Sequence, residues 1–369
     1  MMERRFNTPE NILIVRLGAM GDIVHVISAV KNLRTAFPSA HIAWLVEDRL
    51  KDLVECLPEI DAVIVFPRRQ WQAYLKNPLK YFKIISEFRT FFKNLRNKKF
   101  DVALDFHGNF KSGLLTYLSN ARTRIGFSKG YCKEFNYIFT NLRITPQQKK
   151  LNRVDKYLNL LQGLSIEAYY QRPVFSIPAT DRLYIDDFIY QNHLDQKSIA
   201  IIHPGTSAFG KYKRWSSKNY ALLADQLIQE LDYSVIFTWD SQEYKIVEEI
   251  ISFMHYQATI SCKTSSVKQL IALLQRAHLF VGGDTGPTHL ASCIGIPTIA
   301  IFGPKDPVIY APYNENAMVI RKDISCSPCE KRTCDHVTCI NMVTPEDVFH
   351  AVAKLKIKVE KKFDFLNIA

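Results

Sequence analysis

Residues 279–307 read LFVGGDTGPTHLASCIGIPTIAIFGPKDP, and their pattern decides the fold class. Leu279-Phe280-Val281 is an apolar run, short and closed by glycines as a buried strand is. Gly282-Gly283-Asp284-Thr285-Gly286 punctuates it, and helical spacing resumes from Thr288 to Ile294. Pro297 to Phe302 is a second apolar strand, closed by Gly303-Pro304. A strand, a glycine-rich turn and a helix start make an anion site, because the first N–H groups of the helix point outward and its dipole adds partial positive charge. Asp284 is out of place in such a site, since a carboxylate beside a phosphate is repulsive unless it binds something else, such as sugar hydroxyls. The plainer alternative is an Asp/Thr N-cap on an ordinary helix.

The same alternation runs through the chain twice. Asn11 to Leu17 is an apolar strand, Gly18 to Asp22 a tight turn, and Ile23 to Phe37 a helix stopped by Pro38. Strands follow at 41–46, 61–66 and 101–106, and Gly108-Asn109-Phe110-Lys111-Ser112 repeats the strand–turn–helix theme. After a mixed stretch with Pro146, Pro173 and Pro178, a second series opens with Ser198 to His203. It continues through helices near 217–231, 242–254 and 266–276 and a strand at 233–238, and then reaches the stretch quoted above. Strands alternating with helices imply parallel sheets with crossover helices. The expectation is an α/β chain of two doubly wound, Rossmann-like domains facing across a cleft, with ligands at the carboxyl ends of the strands. Residues 1–175 form the first domain and 196–345 the second, with a linker near 173–196 and a C-terminal helix and tail over 346–369.

The chain has 369 residues, 47% of them hydrophobic, enough for two cores. No window approaches the apolar length of a spanning helix, and MMERRFNTPE lacks the apolar centre of a signal peptide, so a cytoplasmic protein is expected. The net charge of +12 is unevenly placed. Residues 1–150 hold 25 Lys and Arg against 13 Asp and Glu, whereas 151–369 hold 23 of each. Arg68 to Lys99 alone carries ten basic residues and one acid, Glu87, interleaved with aromatics. Tyr81, Ile84, Ile85, Phe88, Phe91, Phe92 and Leu95 recur at helical spacing, which reads as an amphipathic helix with a solvated basic face. Arg68-Arg69-Gln70-Trp71 precedes it in a loop-like context and suits an anionic partner: nucleic acid, a membrane surface or a phosphorylated substrate.

Polar groups gather after the strands. Gly18 to Asp22 allows close approach of backbone to a ligand, but G-x-G-x-x-G is absent, and Asp22 could equally be an N-cap. His203-Pro204-Gly205-Thr206-Ser207, followed by Lys211, Lys213 and Arg214, suits a diphosphate, although no Walker motif is present. Glu243, after the strand at 233–238, could accept hydrogen bonds from ribose hydroxyls or be a first-turn helix acid.

Four stretches together resemble the heptosyltransferases of lipopolysaccharide inner-core assembly, inverting glycosyltransferases of family nine with the two-domain GT-B fold. They are Arg16-Leu-Gly-Ala-Met-Gly-Asp22; Asp105-x-His-Gly-x-x-Lys111-Ser112; His203-Pro-Gly-Thr206 with Lys213-x-Trp215; and Asp284-Thr-Gly-Pro-Thr-His289 followed by Phe302-Gly-Pro-x-Asp-Pro307. Arg68-Arg69-Gln70-Trp71 is similar to an Arg-Arg-Trp run of the heptosyltransferase I branch, with one extra residue. The resemblance implies ADP-heptose as donor and a Kdo-lipid A type glycolipid as acceptor, at the cytoplasmic surface of the inner membrane, with no nucleic acid partner. It implies that Thr206, Glu243, Asp284, Thr285, Gly286 and His289 bind the donor and that Arg68, Arg69, Trp71, His107 and Lys111 bind the acceptor. Asp22 would be the general base and Lys213 would stabilise the leaving diphosphate, with no cofactor or catalytic metal.

Of the eight cysteines, Cys56, Cys132, Cys262 and Cys293 are scattered and read as buried thiols. Cys326, Cys329, Cys334 and Cys339 lie within 14 residues, so a small structural zinc site, disulfides formed on oxidation, or a loop of free thiols all fit. Two rival classes remain at this stage. One is a nucleotide-binding oxidoreductase, disfavoured by the missing dinucleotide fingerprint. The other is a non-catalytic basic protein, disfavoured by the clustering of polar groups after strand ends in both halves.

Overall fold

The computed structural model describes residues 8–240, 243–329, 331 and 333–366. The chain divides into two compact units, Met1–Ser176 and Ile177–Ala369. In the first, β1 (Asn11–Val15), β2 (His41–Glu47), β3 (Ala62–Phe66), β4 (Val102–Asp105), β5 (Thr123–Phe127) and β6 (Leu142–Ile144) form one sheet. All neighbours are parallel, in the order β3-β2-β1-β4-β5-β6. Ile12, Leu13, Ile14 and Val15 of the central strand are fully buried, as in a parallel sheet covered on both faces. Leu13 and Val15 share one core with Phe92 and Leu95 of the helix Tyr81–Asn97.

The second unit repeats the plan with β7 (Ser198–His203), β8 (Tyr233–Phe237), β9 (Thr259–Ile260), β10 (Leu279–Gly283), β11 (Thr298–Ile301) and β12 (Ala317–Ile320). Its order is β12-β11-β10-β7-β8-β9, also all parallel. Both sheets therefore run third-second-first-fourth-fifth-sixth in chain order, the doubly wound arrangement. In such a sheet the connections depart in opposite directions from the first and fourth strands, leaving a crevice beyond their carboxyl ends. These switch points lie between β1 and β4 in one unit and between β7 and β10 in the other. The last helix, Pro345–Leu366, belongs to the second core, with Val348, Ala351, Val352 and Leu355 buried alongside Leu223, Ala224 and Leu227. The expected tail beyond it, residues 367–369, lies outside the described residues.

Several elements differ from expectation, each for a packing reason. The helix expected from Ile23 starts at Met20, so Asp22 occupies its third position and not the N-cap, which is Ala19. A first-turn acid is favoured there by the helix dipole. Arg68–Leu75 is a helix and not a loop; burial of Trp71 among Phe66, Phe88 and Phe91 supplies what its polar sequence lacks. The stretch 173–196 holds the helix Ala179–Gln191, anchored by buried Ile185 and Ile189 one turn apart. No helix among the described residues is long and apolar enough to cross a membrane.

Candidate active site

At the first switch point the chain leaves β1 through Arg16 and β4 through Phe106 and His107. Arg16, only 4% exposed, donates from Nη1 to the Phe106 carbonyl at 2.8 Å and pairs through Nη2 with Asp22 Oδ2 at 2.6 Å. Asp22 also accepts from the Ala19 N–H at 3.3 Å, which ties the turn to the first turn of the helix. Burial alone would raise its carboxyl, but Arg16, with His25 and Arg153 adding to it, holds the group below the ordinary carboxylate range. The Asp22 side chain is 37% exposed.

His107 lies next to this pair. Its Nδ1 accepts from the Leu17 N–H at 3.4 Å, and burial, reinforced by Arg16, lowers its pKa to about 3. The ring is therefore neutral at physiological pH and carries its proton on Nε2. Asp105, fully buried at the end of β4, accepts from the His107 and Gly108 N–H groups, Ser112 Oγ and Asn136 Nδ2, and so shapes the loop from inside. Asn109 caps the helix Phe110–Leu118 by accepting from the Ser112 N–H at 3.0 Å.

A second cationic group forms around Glu47, the last residue of β2. Its Oε1 accepts from Arg68 Nη1 at 2.9 Å and Lys111 Nζ at 3.0 Å, and Arg49 lies 3.8 Å from Oε2. Burial opposes the charge on Glu47, yet Lys111 and Arg68 outweigh it and keep the carboxyl low. Three cations share one carboxylate, leaving positive charge in excess. Arg69 stands exposed on the same helical turn as Arg68. Trp71 is turned inward: it is 7% exposed and donates from Nε1 to Glu87 Oε2 at 3.1 Å. The structure thus gathers Asp22 and His107 about Arg16, and Arg68 and Lys111 about Glu47, while Trp71 sits in the core.

At the second switch point β10 ends in Gly283 and the helix Gly286–Ile294 follows, with Thr285 as its extended N-cap residue. Thr288 Oγ1 donates to the Gly283 carbonyl at 2.6 Å and lies 3.1 Å from Thr285 Oγ1, which tightens the turn. Gly295, at φ 103°, ends the helix in the left-handed region. Lys213 Nζ reaches Asp284 Oδ2 at 2.8 Å and donates to its carbonyl, and His289 Nε2 lies 3.3 Å from Oδ1. Burial would raise the Asp284 carboxyl, but the His289 hydrogen bond and the Lys213 charge hold it far below the usual range. Asp284 thus orients an ammonium and an imidazole at a helix N-terminus, more than an N-cap would do.

From β7, His203 is buried and kept neutral by that burial, with a pKa of about 4, and its Nδ1 lies 3.1 Å from Thr238 Oγ1. Thr206 Oγ1 accepts from Arg214 Nε at 3.3 Å. Glu243 is 8% exposed; burial raises its carboxyl, against the lowering effect of the hydrogen bond it accepts from the Asp240 N–H. Its carboxylate rests against Gly205, where a Cβ would meet Glu243 Oε2 at 2.0 Å and displace it. Trp215 is structural, buried with Nε1 donating to the Val343 carbonyl at 2.7 Å. Lys213, Asp284 and His289 therefore form one linked set, with Thr285 and Gly286 beside it in the same turn; Thr206 is joined to Arg214, and Glu243 packs on Gly205.

Sequence reasoning passed over Glu47 and Arg49 as functional residues, and named Arg16 only within a motif and Arg214 only beside the lysines. A charged residue closing an apolar strand, as Glu47 closes HIAWLVE, was the available signal for one of them. The zinc expectation does not hold among the described residues, where no group of three or more His, Cys, Asp or Glu could hold a metal ion. Cys326 is exposed while Cys339 is buried, and all eight cysteines are free thiols. Of the four scattered ones, Cys56 and Cys293 are buried, whereas Cys132 and Cys262 are half-buried.

Comparison with known proteins bears on the family and the fold. The sequence profile of glycosyltransferase family 9 (heptosyltransferase) matches residues 88–339. The chain is 25% identical over 308 residues to the lipopolysaccharide core heptosyltransferase OpsX of Haemophilus influenzae, covering 83% of this chain and 82% of that one. It is 23% identical to lipopolysaccharide heptosyltransferase 1 of Pseudomonas aeruginosa, over 88% of this chain and 87% of the relative. Among solved structures, Escherichia coli ADP-heptose lipopolysaccharide heptosyltransferase II superposes with a TM-score of 0.74 at 22% identity, over 95% of this chain and 99% of that one. Escherichia coli heptosyltransferase WaaC, solved with ADP, gives a TM-score of 0.74 at 20% identity, over 94% and 99% of the two chains. The fold is of the GT-B type, and the chain belongs to glycosyltransferase family 9, the heptosyltransferase family, and is a glycosyltransferase.

Proposed function

We propose that the protein transfers heptose from ADP-L-glycero-D-manno-heptose to the Kdo-lipid A inner core, with inversion at the anomeric carbon. The observation that carries this reading is the Lys213–Asp284–His289 set beside the N-terminus of Gly286–Ile294. An ammonium, an imidazole and free helix N–H groups converge where a diphosphate would leave, and donors aimed at developing negative charge stabilise it most. Thr206 joins them on the phosphates. Glu243 accepts from ribose hydroxyls, with Gly205 leaving room for its carboxylate.

In the first unit, Asp22 takes the proton of the acceptor hydroxyl. Arg16 keeps it ionised, and the hydroxyl becomes acidic only as the new C–O bond forms, so a weak base suffices late in the reaction. The excess cations around Glu47 suit the phosphates and carboxylates of a Kdo-lipid A acceptor, with Arg68, Arg69 and Lys111 as contacts and Trp71 supporting them from behind. His107, a neutral donor through Nε2, orients the acceptor. The acceptor places the enzyme at the cytoplasmic face of the inner membrane as a peripheral protein. The test is incubation with a panel of ADP- and UDP-linked sugars, ADP-heptose among them, and Kdo-lipid A, or its mono-heptosylated form, with the product identified by mass. Transfer to the unheptosylated acceptor is expected; transfer only to the heptosylated one moves the enzyme to a later core step, and UDP release overturns the donor.

A further inference from the structure

The segment before and along the helix Tyr81–Asn97 exposes large apolar side chains that no other part of the first unit covers. Leu79 is 92% exposed and Phe82 89%, with Leu75 and Ile85 more than half-open or nearly so at 59% and 49%. Single exposed apolar residues are ordinary, but a cluster at one end of one helix marks an interaction site. Lys76, Lys80, Lys83, Arg89, Lys93 and Arg96 stand exposed around it. The segment's single acid, Glu87, is turned inward to Trp71 Nε1 at 3.1 Å and Gln70 Nε2 at 3.1 Å. The outward face is therefore cationic and apolar with no anion on it. Farther along the helix a groove of about 350 Å³ has Phe88, Phe92 and Leu118 as its apolar walls and Arg89, Lys93 and Arg96 at its rim.

We propose that this helix and the turn before it dock on an anionic phospholipid bilayer, with Leu79 and Phe82 entering the acyl boundary and the cations meeting headgroup phosphates. The two halves of the pattern need each other only at such a surface. A basic face alone would fit nucleic acid, but a phosphate backbone gives Leu79 and Phe82 nothing to bury against. An apolar protein groove would take the leucine and phenylalanine and leave the lysines unpaired. Amphipathic helices rich in Lys and Arg on one side and Phe and Leu on the other lie in the membrane interface for this reason. The inference rests on the proposed function only in placing the acceptor at the bilayer; the surface chemistry stands without it.

Vesicle flotation of the full chain, with neither donor nor acceptor present, tests it apart from the transfer reaction. Wild type should float with phosphatidylcholine vesicles containing phosphatidylglycerol, bind pure phosphatidylcholine weakly, and detach as salt is raised. The double variant Leu79→Ser/Phe82→Ser should bind about tenfold or more weakly while melting like wild type, since both side chains are solvent-exposed. Its transfer to a delipidated, water-soluble Kdo acceptor should be unchanged. Lys80→Glu/Lys83→Glu should also lose binding, by charge and not by burial. Absence of flotation by wild type, equal flotation by either variant, or displacement from vesicles by a duplex oligonucleotide at equal phosphate would each overturn the proposal.

Discussion

Replacing Asp22 by asparagine separates the proposed base chemistry from the architecture in which the carboxylate also takes part. Its oxygen lies 2.6 Å from Arg16 Nη2 and accepts from the Ala19 N–H. Asparagine can keep both hydrogen bonds through its amide oxygen but loses the charge. A charge-assisted hydrogen bond contributes about 1.5–3 kcal/mol and a neutral one about 0.5–1.5. Solvent at the exposed edge of Asp22 screens part of that difference, leaving a cost of about 1 kcal/mol. In a unit of this size that is a fall in Tm of about 2–4 °C. Loss of a general base costs roughly 10²–10⁴ in rate. Asp22→Asn should therefore melt slightly early, bind ADP-heptose as wild type does, and transfer heptose at least about a hundredfold more slowly. The pH dependence follows from the lowered carboxyl. A depressed acid contributes stability above its unfolded value, near pH 4, and loses it as pH falls through the folded value. Asp22 stays ionised at every pH above its folded value, so it should impose no acid limb on the rate above about pH 4. Product mass, calorimetric donor binding and a melting scan read these quantities. A stable variant that transfers at the wild-type rate would refute the reasoning, and a large early melt would make Asp22 chiefly the counter-ion of Arg16. His107 is then a poor replacement, because its Nδ1 lone pair already serves Leu17.

Lys213→Met should weaken donor affinity and lower turnover together, since methionine matches the length but not the charge; wild-type kinetics in this variant would remove Lys213 from the diphosphate. Arg68→Ala/Arg69→Ala should raise KM for the acceptor and leave donor binding intact, and added salt should mimic part of the loss in wild type. Steady-state titration of each substrate reads the split. Gly205→Ala should displace the Glu243 carboxylate, which its Cβ would meet at 2.0 Å, and so raise donor KM while the first unit is untouched. An unchanged donor KM would take Glu243 off the ribose.

The strands at the switch points could be read in the sequence because they are continuous apolar runs that end in glycine or in a polar loop. Ser198–His203 was legible to the residue, and Leu279–Gly283 nearly so. Four strands went unread: TRIGF, LRI, AMVI and the two-residue β9. They lie toward or at the sheet margins and are short; an arginine also interrupts TRIGF and LRI. The helix Arg68–Leu75 was hidden for a different reason. Its one buried residue, Trp71, is held by Phe88 and Phe91, far along the chain on another helix, and by Phe66 before it. The cationic nest was invisible because Glu47, Arg68 and Lys111 meet only through tertiary structure. By contrast Asp284 and Lys213 were singled out by residue type and position after strands, and His289 by the family resemblance, although nothing in the sequence showed that one carboxylate would hold both partners.

A carboxylate pinned beside a buried guanidinium is quick to give back what it takes. Were Asp22 the base, each proton it captured would leave Arg16 without its counter-ion 2.6 Å away. The pair would then act as a spring-loaded latch: the same contact that readies the base for one cycle would discharge it for the next.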